Sequence, residues 1–422
     1  MKRALIISYY FQQKDDIGAI RLRGLAKYLP SFGWETIIIS GTAGKDDGFE
    51  VTEVVIDDVL TRWKKMLRLN LDKTLKAQFA IPEHKKKRSL LDYVIKIWEE
   101  FFVYPDNNRT WVLPTITKGR DLLNKQHFDA IISSSMPNSV HFVAADLASE
   151  FKLPWIADFR DLWTQHHYYH YSRIRKFFEE RLECKTLSAA SALTTVSQPL
   201  ANRLHDLHKY KRAISILNGF DPNQINPGIP LTKKFSITYT GVLYKIRQDP
   251  EPLFRALRIL IDEKKLDPKL IEVNFFGYDR EWLMTDVKKY QLQEVVKIYG
   301  PISREESILK QRRSQLLLLL TWNDPQEKGI YTGKLFDYLA ARRPILSMGF
   351  TEGGVVKDLL DQTQAGIHVS NEEELKKCLL TAYSEYMETG ALQYRGIDSE
   401  VIKYSHLEMA RKFAAVLDEV IS

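Results

Sequence analysis

The sequence contains only two cysteines among its 422 residues, Cys184 and Cys378, and they lie far apart along the chain. Such a pair forms neither a disulfide framework nor a zinc-binding motif, which fits a reducing compartment. Long apolar runs are also missing, since no stretch of about 18 apolar residues occurs, and we expect no membrane-spanning helix. The apolar run in MKRALIISYYF is short and soon followed by QQKDD, which predicts a first strand rather than a signal peptide.

The chain is longer than one hydrophobic core usually serves, so we expect two domains. Short runs rich in isoleucine and valine alternate with longer helical patterns, as in buried parallel sheets. The first series of predicted strands is RALIIS, TIIIS, DAIISSS, PWIADF and LTTVS, and the second is AISILNG, SITYTG, IEVNFFG, VKIYG, QLLLLLT, PILSM and GIHV. Two such series predict an α/β protein with two Rossmann-like, doubly wound parallel sheets.

The expected domain boundary lies between Lys209 and Lys234, a stretch that includes LNGFDPNQINPGIPL, where asparagine, proline and glycine favour turns. We therefore expect residues 1–210 to form an N-terminal domain and residues 211–400 to form a C-terminal domain. Residues 401–422 have a helical pattern. This terminal helix either caps the second domain or returns to pack toward the first.

The net charge of +7 is concentrated in residues 60–103, which contain LTRWKKMLRLNL and HKKKRSLLDYVIKIWEEFF. Leu60, Trp63 and Leu67 share one helical face, and the cations lie largely elsewhere. This pattern is typical of an interfacial amphipathic helix and predicts contact with an anionic membrane surface. A solvated basic face beside a core helix is the alternative. Nucleic acid is not expected as a partner, because no binding motif accompanies the charge.

Candidate site residues follow the strands of the first series, because open parallel sheets bind ligands beyond the carboxyl ends of their strands. Gly18 precedes a helix start, where a glycine lets the backbone approach an anion closely. An ordinary strand-to-helix loop is the alternative. Asp158, Arg160 and Asp161 crowd the end of another strand. They are catalytic or hold sugar hydroxyls, or else they form a buried ion-pair network.

In the second series, Gly241 is followed by the cations Lys245 and Arg247 in a predicted loop. Two cations near a glycine suit a diphosphate leaving group, whose developing negative charge they would neutralise. Solvated loop cations are the alternative.

The stretch GIYTGKLFDYLAARRPIL predicts a helix that begins near Thr332, an acceptable N-cap residue. The amides of Gly333, Lys334 and Leu335 would then point outward without intrahelical partners. With the Lys334 ammonium they would form an anion site, and Asp337, one turn further along, could bind two ribose hydroxyls. The alternative is a plain capped helix with one solvated aspartate.

In this order, the Gly18 loop, IISSSMPNSVH, WIADFRDLW, LTTVSQPLA, LNGFD, YTGVLYKIRQDPEPL, YTGKLFDYLAARRPIL and the terminal helix resemble the family 4 glycosyltransferases of the GT-B fold. The likeness covers nearly the whole chain and is strongest to bacterial enzymes of lipopolysaccharide, capsule or exopolysaccharide assembly. It implies two domains facing across a cleft, a nucleotide-sugar donor on the second and a lipid-linked or saccharide acceptor on the first. It also implies retention of anomeric configuration, with no essential metal and no cofactor.

The resemblance further implies the roles of the donor-site residues. Lys245 and Arg247 would hold the diphosphate, and Asp337 would bind the ribose. The base would lie near Gly277 and the GPIS turn. The other residues implied to contact the donor are Gly18, Gly241, Pro301, Ile302, Thr332, Gly333, Lys334 and Leu335.

Two features depart from the family pattern. The donor motif of the family is two glutamates separated by seven residues, whereas this chain has Gly329 at the first position and Asp337 at the second. Many members carry a histidine after the strand that ends here in ADFRD, where this chain has arginine and aspartate. The candidate catalytic residues are therefore Asp158, Arg160, Asp161 and Glu327.

The expected function is sugar transfer by a cytoplasmic enzyme, peripheral on the inner face of the cell membrane. Because the first glutamate of the motif is missing, a non-catalytic GT-B subunit that binds an acceptor or a partner enzyme is the second hypothesis. A Rossmann-type oxidoreductase is disfavoured, since the chain lacks a GxGxxG turn.

Overall fold

The computed structural model describes residues 1–45, 47–66, 100, 103–166, 169, 171–225, 228–244, 247–277, 281–322, 327, 329–349 and 354–422. Most of the basic segment 60–103 and Lys245 lie outside these ranges. The chain divides into two compact units, one of Met1–Ile216 with Ala410–Ser422 and one of Leu217–Met409.

The first unit contains a parallel sheet, which in its described part has seven strands in the order β3-β2-β1-β4-β5-β6-β7. Its strands are β1 Lys2–Ser8, β2 Trp34–Ser40, β3 Val51–Glu53, β4 Ala130–Ser135, β5 Trp155–Phe159, β6 Ala192–Thr195 and β7 Ala213–Ser215. Its helices are α1 Ile17–Tyr28, α2 Val59–Met66, α3 Val112–Lys125, α4 Ser139–Phe151, α5 Arg173–Leu187 and α6 Gln198–Leu207.

The second unit contains another parallel sheet, with six described strands in the order β10-β9-β8-β11-β12-β13. Its strands are β8 Phe235–Thr240, β9 Ile271–Phe276, β10 Val296–Tyr299, β11 Leu316–Leu320, β12 Ile345–Met348 and β13 Gly366–Val369. The helices are α7 Glu251–Asp262, α8 Glu281–Lys289, α9 Arg304–Arg313, α10 Gly333–Ala341, α11 Val355–Thr363, α12 Glu372–Thr389, α13 Asp398–Val401 and finally α14 His406–Ile421, whose residues from Ala410 onward belong to the first unit.

The five leucines of β11 show why a parallel strand that is buried on both faces has a continuous apolar sequence. Leu316, Leu318 and Leu320 pack into one hydrophobic core of the second unit, and Leu317 and Leu319 pack into the other. Since successive side chains of a strand point to opposite faces, every position must be apolar when helices cover both faces. The prediction of two doubly wound parallel sheets is confirmed.

One strand differs from the sequence prediction. The sequence predicts AISILNG as the first strand of the second series, but its first three residues form β7 in the first sheet. There β7 pairs with β6 at the sheet edge, with Leu193 opposite Ala213. The composition of so short a strand does not distinguish the two sheets. The sheet that β7 joins depends instead on which sheet edge has unpaired backbone N–H and C=O groups.

Each sheet reverses its strand order at one point, between β1 and β4 in the first unit and between β8 and β11 in the second. The loops that follow these strands diverge there, which opens a crevice at the carboxyl edge of the sheet. The residues that follow β1, β4, β8 and β11 are therefore the ones to search for a site. Within the described ranges, no helix is both long and apolar enough to cross a membrane.

Candidate functional site

In the second unit, two glycines bring the loops after β8 and β9 into direct backbone contact. Gly241 has φ +109°, a conformation that favours glycine, and its N–H donates to the Phe276 carbonyl at 2.8 Å. A Cβ on Gly277 would lie 2.3 Å from the Gly241 carbonyl oxygen, so only glycine fits there. Because the two loops pack closely against each other, they leave open the space beyond the carboxyl end of β8. A side chain from α10 occupies this space.

That side chain is Lys334. Its Nζ donates to the Tyr239 hydroxyl at 3.0 Å and lies 4.7 Å from the centroid of the same ring, and its Cε would be 3.2 Å from a Cβ on Gly241. Burial lowers the pKa of Lys334 to about 8, although the nearby Asp337 carboxylate opposes the shift. A cation in so little water gains more from a bound anion than a solvated one.

The start of α10 differs in detail from the predicted anion cradle. The helix begins at Gly333 with Thr332 at the N-cap position, as predicted, but the Thr332 hydroxyl makes no capping bond. Its Oγ1 is buried and has no hydrogen-bond partner among the described residues. The Leu335 amide donates to the Thr332 carbonyl at 3.1 Å, so it is not open to a ligand. The amides of Gly333 and Lys334 remain without intrahelical acceptors.

Asp337 is already paired. Arg304, the first residue of α9, donates two hydrogen bonds to the Asp337 carboxylate, from Nη2 to Oδ1 at 2.6 Å and from Nη1 to Oδ2 at 3.2 Å. Burial raises the pKa of Asp337, while Arg304 and Lys334 act against that rise. Sequence reasoning missed Arg304. The available signal was its position directly after the GPIS turn, which contains Pro301 and Ile302.

Aromatic side chains surround the predicted base region. Phe276 and Tyr299, opposite each other at the ends of β9 and β10, stack with centroids 4.6 Å apart and planes 8° from parallel. Lys310 Nζ lies 5.4 Å from the Phe276 centroid. Tyr299 is 42% exposed. The sequence signal for this stack was an aromatic residue directly before a glycine in both strands, at FFG and IYG.

Of the predicted cations after β8, the structure describes Arg247. Its guanidinium carbon lies 5.6 Å from the ring centroid of Trp322, which follows β11, and Trp322 also contacts the Tyr244 ring. Arg247 therefore stands where the two strands at the reversal of the second sheet end. Glu327 is half-buried, and the residues immediately before and after it are outside the described ranges.

In the first unit, Asp158 is fully buried and bonded on both oxygens. Its Oδ2 accepts from Arg21 Nε at 3.1 Å and Ser134 Oγ at 2.7 Å, and its Oδ1 accepts from Arg21 Nη2 at 2.9 Å and Thr194 Oγ1 at 2.8 Å. Burial alone would raise the pKa of Asp158, but Arg21 and the hydroxyls outweigh it and hold the pKa below its usual value. This is the buried ion-pair arrangement, with Arg21 rather than Arg160 as the cation.

Arg160 lies across the start of α1 instead. Its Nη1 is 3.5 Å from Asp16 Oδ1, and the same Asp16 oxygen accepts from the Gly18 N–H at 2.7 Å. A Cβ on Gly18 would lie 2.3 Å from Arg160 Nη1, so the glycine makes room for the guanidinium. Asp161 is more exposed, and its Oδ1 is 3.9 Å from His166 Nε2. The structure thus brings together two predicted residues, Gly18 and Arg160.

His141, in the IISSSMPNSVH stretch, is fully buried beside the same strand end. Its Nδ1 lies 2.8 Å from Ser133 Oγ, and its ring centroid is 4.5 Å from that of Phe159. Ser133 Oγ accepts a hydrogen bond from Trp155 Nε1 at 2.7 Å. Burial lowers the pKa of His141 to about 3, so the imidazole is neutral at physiological pH. Among the described residues, no cluster of three or more His, Cys, Asp or Glu side chains could hold a metal ion.

Comparison with known proteins supports the family suggested by these residues. The Glycosyltransferase Family 4 model matches residues 18–224. A comparison with curated proteins gives no match. Among solved structures, a glycosyltransferase from Rickettsia africae ESF-5 has 14% identity and a TM-score of 0.59 over 100% of this chain and 99% of its own.

Two further structures are similar over nearly their full lengths. HepE of Anabaena in complex with UDP has 13% identity and a TM-score of 0.58, covering 99% of this chain and 100% of its own. The lipopolysaccharide outer core galactosyltransferase WaaB, in its apo form, has 11% identity and a TM-score of 0.55 over 99% of both chains. At these identities the likeness establishes the fold. The resemblance to the family 4 glycosyltransferases is confirmed, with the family model matching residues 18–224, and the chain has the GT-B fold.

Proposed function

We propose that this protein transfers a sugar from a nucleotide-sugar donor to a lipid-linked or saccharide acceptor in the synthesis of a bacterial surface polysaccharide. The observation that carries the proposal is Lys334, a poorly hydrated cation at the reversal of the second sheet. The complex of HepE with UDP and the activity named for WaaB support the same substrate classes. Retention of anomeric configuration and metal independence are part of this proposal.

The diphosphate of the donor would lie above the end of β8. Lys334 would meet it with its ammonium, and the open amides of Gly333 and Lys334 would donate to its oxygens. Arg247 and Lys245 would approach from the loop after β8, where Gly241 keeps the backbone clear. Leu335 would serve mainly as the buried anchor of the helix, because its amide is already bonded.

The nucleoside would lie over the ends of β9 and β10. Gly277, Pro301 and Ile302 would line the base, and the exposed ring of Tyr299 offers it a stacking surface. Asp337 would accept ribose hydroxyls while it remains bonded to Arg304. Sharing the carboxylate in this way fixes its direction, which compensates for a side chain one methylene shorter than the glutamate of the family motif.

On the first unit, Arg160 and Asp161 would face the transferred sugar, beside Gly18. We assign Asp158 a positioning role, because it has no exposed surface and fixes the end of β5 through Arg21. Glu327 would replace the carboxylate that is missing at Gly329. Catalysis would come mostly from stabilising the departing diphosphate and from orienting both substrates.

We further propose a cytoplasmic protein, peripheral on the inner face of the membrane, with the basic segment 60–103 contributing to attachment. Removal of the Lys85 to Arg88 charges should then weaken its salt-sensitive binding to anionic vesicles. Binding that is insensitive both to salt and to this change would contradict a role for the segment.

The donor site is tested by titrating UDP into the protein and into Lys334→Ala. Removing one partner of a desolvated charge contact typically costs about 2–5 kcal/mol, so the affinity should fall by well over tenfold. Lys357→Ala is the matched control, since Lys357 is an exposed lysine of the same unit paired with Asp361. Equal UDP affinity in Lys334→Ala and the control would refute the site.

The second candidate function is a non-catalytic GT-B subunit, favoured by Gly329 at the first carboxylate position. Such a protein would bind UDP through Lys334 but release no sugar from a panel of UDP-sugars, with or without lipid-linked acceptors. Sugar release or transfer that disappears in Lys334→Ala would exclude it.

A further inference from the structure

Helix α5 has an unusual distribution of charged and apolar residues. Arg175, Glu179 and Glu183, each four residues from the next, are 4%, 1% and 0% exposed. In contrast, Ile174 is 73% exposed, Phe177 49% and Phe178 56%, at the i, i+3 and i+4 spacing that shares one face. A helix on a water-facing surface normally has the opposite arrangement.

The charged face of α5 cannot turn outward in place of the apolar face, because its buried charges form hydrogen bonds and ion pairs. Arg175 Nε lies 2.9 Å from Glu179 Oε1, and Arg175 Nη2 donates to the Val103 carbonyl at 2.7 Å. Glu183 accepts from the Thr164 N–H at 3.1 Å and lies 3.2 Å from His208 Nε2. Rotating the helix about its axis to bury Phe177 and Phe178 would leave these buried charges without their partners, which is strongly unfavourable.

The exposed aromatic pair is held in place by its neighbours. The rings of Phe177 and Phe178 meet edge to face with centroids 5.5 Å apart, and the Arg181 guanidinium carbon lies 3.7 Å from the Phe177 centroid. The apolar surface is thus preformed and fixed on a helix whose other face is anchored. Such a surface suits a partner that is itself apolar.

Cations border this surface. The charged residues of α5 that reach solvent are four cations and one acid, Glu180, which pairs with Lys176 at 3.8 Å. The cations are Arg173, Lys176, Arg181 and Lys185. A second copy of the chain docked symmetrically on this face would bring these cations against their own copies, which opposes self-association.

We propose that the outer face of α5 docks on a lipid bilayer that contains anionic phospholipids. Ile174, Phe177 and Phe178 would enter the boundary between head groups and acyl chains. Arg173 and Arg181 would remain at the level of the phosphates, where long basic side chains reach while their stems stay in apolar surroundings. This docking rests on the proposed peripheral location at the membrane. It does not depend on sugar transfer, and it can hold or fail independently of the donor site and of the Lys85 to Arg88 charges.

The test measures sedimentation of the full chain with vesicles of phosphatidylcholine, with and without phosphatidylglycerol. We expect binding to the anionic vesicles, and a loss of about tenfold or more in the Phe177→Ser/Phe178→Ser double variant. Leu113→Ser is the control, because Leu113 is a 76% exposed leucine on α3 of the same unit. Equal binding by the double variant and the wild type would overturn the proposal.

A second measurement locates the contact. A polarity-sensitive dye on Phe178→Cys, in a background with Cys184 and Cys378 replaced by alanine, should shift to shorter wavelength with anionic vesicles. The same dye on Leu113→Cys should not shift. Vesicle binding without a shift at position 178 would overturn the proposal. A shift that needs no vesicles and follows protein concentration would also overturn it, and would indicate self-association instead.

Discussion

At the scale of one residue, Lys334 carries a positive charge in buried surroundings that disfavour the charged form. Its stem lies against Gly241 and its ammonium against one hydroxyl, so a bound diphosphate would supply the solvation that the protein withholds. This couples anion binding to protonation, and the coupling can be measured.

We expect the affinity for UDP to fall as pH rises through about 8, the value to which burial lowers the pKa of Lys334. Above that pH the free amine is neutral, and binding an anion must first take up a proton, which costs up to about tenfold in affinity per pH unit. Calorimetric titrations of UDP between neutral pH and pH 9, in buffers of different ionisation enthalpy, would reveal this proton uptake.

Lys334→Arg is the control for this pH effect. A guanidinium stays charged across the whole range, so its pH slope should be flat even if its affinity is lower. The same decline in the arginine variant would mean that another group titrates.

Arg304 permits a second measurement at this scale. Arg304→Ala leaves the half-buried Asp337 carboxylate without its main partner, and we expect a loss of about 1–3 kcal/mol in the free energy of unfolding. Arg258→Ala breaks the exposed pair with Asp262 and should cost about 0–1 kcal/mol. Urea unfolding of both variants compares them, and equal losses would contradict a special role for Arg304.

At the scale of elements, the proposed donor site depends on how closely the loops after β8 and β9 approach each other. Gly277 and Gly300 occupy equivalent positions directly after neighbouring strands, yet a Cβ on Gly277 meets the Gly241 carbonyl and a Cβ on Gly300 meets nothing within 4 Å. The two glycines are therefore a matched pair for substitution.

Gly277→Ala should push the loop after β8 away and cost about 1–3 kcal/mol of stability together with UDP affinity. Gly300→Ala should leave the stability unchanged, because its Cβ would meet no protein atom within 4 Å. Thermal unfolding with and without UDP gives both quantities for each variant. If the two alanine variants behaved alike, the backbone contact between the loops would not matter for the site.

Several elements were predictable from sequence because their residues obey a local rule. The all-apolar β11 indicated a strand buried on both faces, and Thr332 marked the start of α10. The pairs that define the sites were not predictable, because Arg304 and Asp337 are 33 residues apart and Arg21 and Asp158 are 137 apart. Nothing in either segment reveals such a partner.

On α5, charged side chains are buried and apolar side chains are exposed. This arrangement could not be predicted from the sequence, for a different reason. A periodicity argument assigns Ile174, Phe177 and Phe178 to the core, because apolar side chains normally face inward. The charges of Arg175 and Glu183 override it, because Arg175 donates to the Val103 carbonyl and Glu183 accepts from the Thr164 N–H, both outside the helix. The local rule fails here because the buried, bonded charges fix which face of the helix points inward.

At the scale of the whole molecule, the last residues of the chain belong with the first unit. Trp34 Nε1 donates to Asp418 Oδ1 at 3.0 Å, and the Arg21 guanidinium carbon lies 5.3 Å from the ring centroid of the fully buried Phe413. The terminal helix thereby contacts the same arginine that pairs with Asp158. The contribution of Ala410–Ser422 to stability should therefore appear in the first unit.

Phe413→Ala should lower the unfolding temperature of the first unit, since removing a buried phenylalanine side chain typically costs about 3–5 kcal/mol. Phe254→Ala, which empties a fully buried site in the second unit, should lower the other transition. Calorimetry assigns the two transitions, with UDP added to mark the transition of the second unit, to which we propose the donor binds. A fall in the UDP-stabilised transition caused by Phe413→Ala would contradict the division.

The division into Met1–Ile216 with Ala410–Ser422 and Leu217–Met409 means that the backbone passes between the units only twice. The second unit is one uninterrupted insert in the first. This unit, which we propose binds the donor, could therefore be exchanged as a single segment with two junctions between proteins of the same fold. Chimaeras built at these junctions would separate the choice of activated sugar from the choice of acceptor.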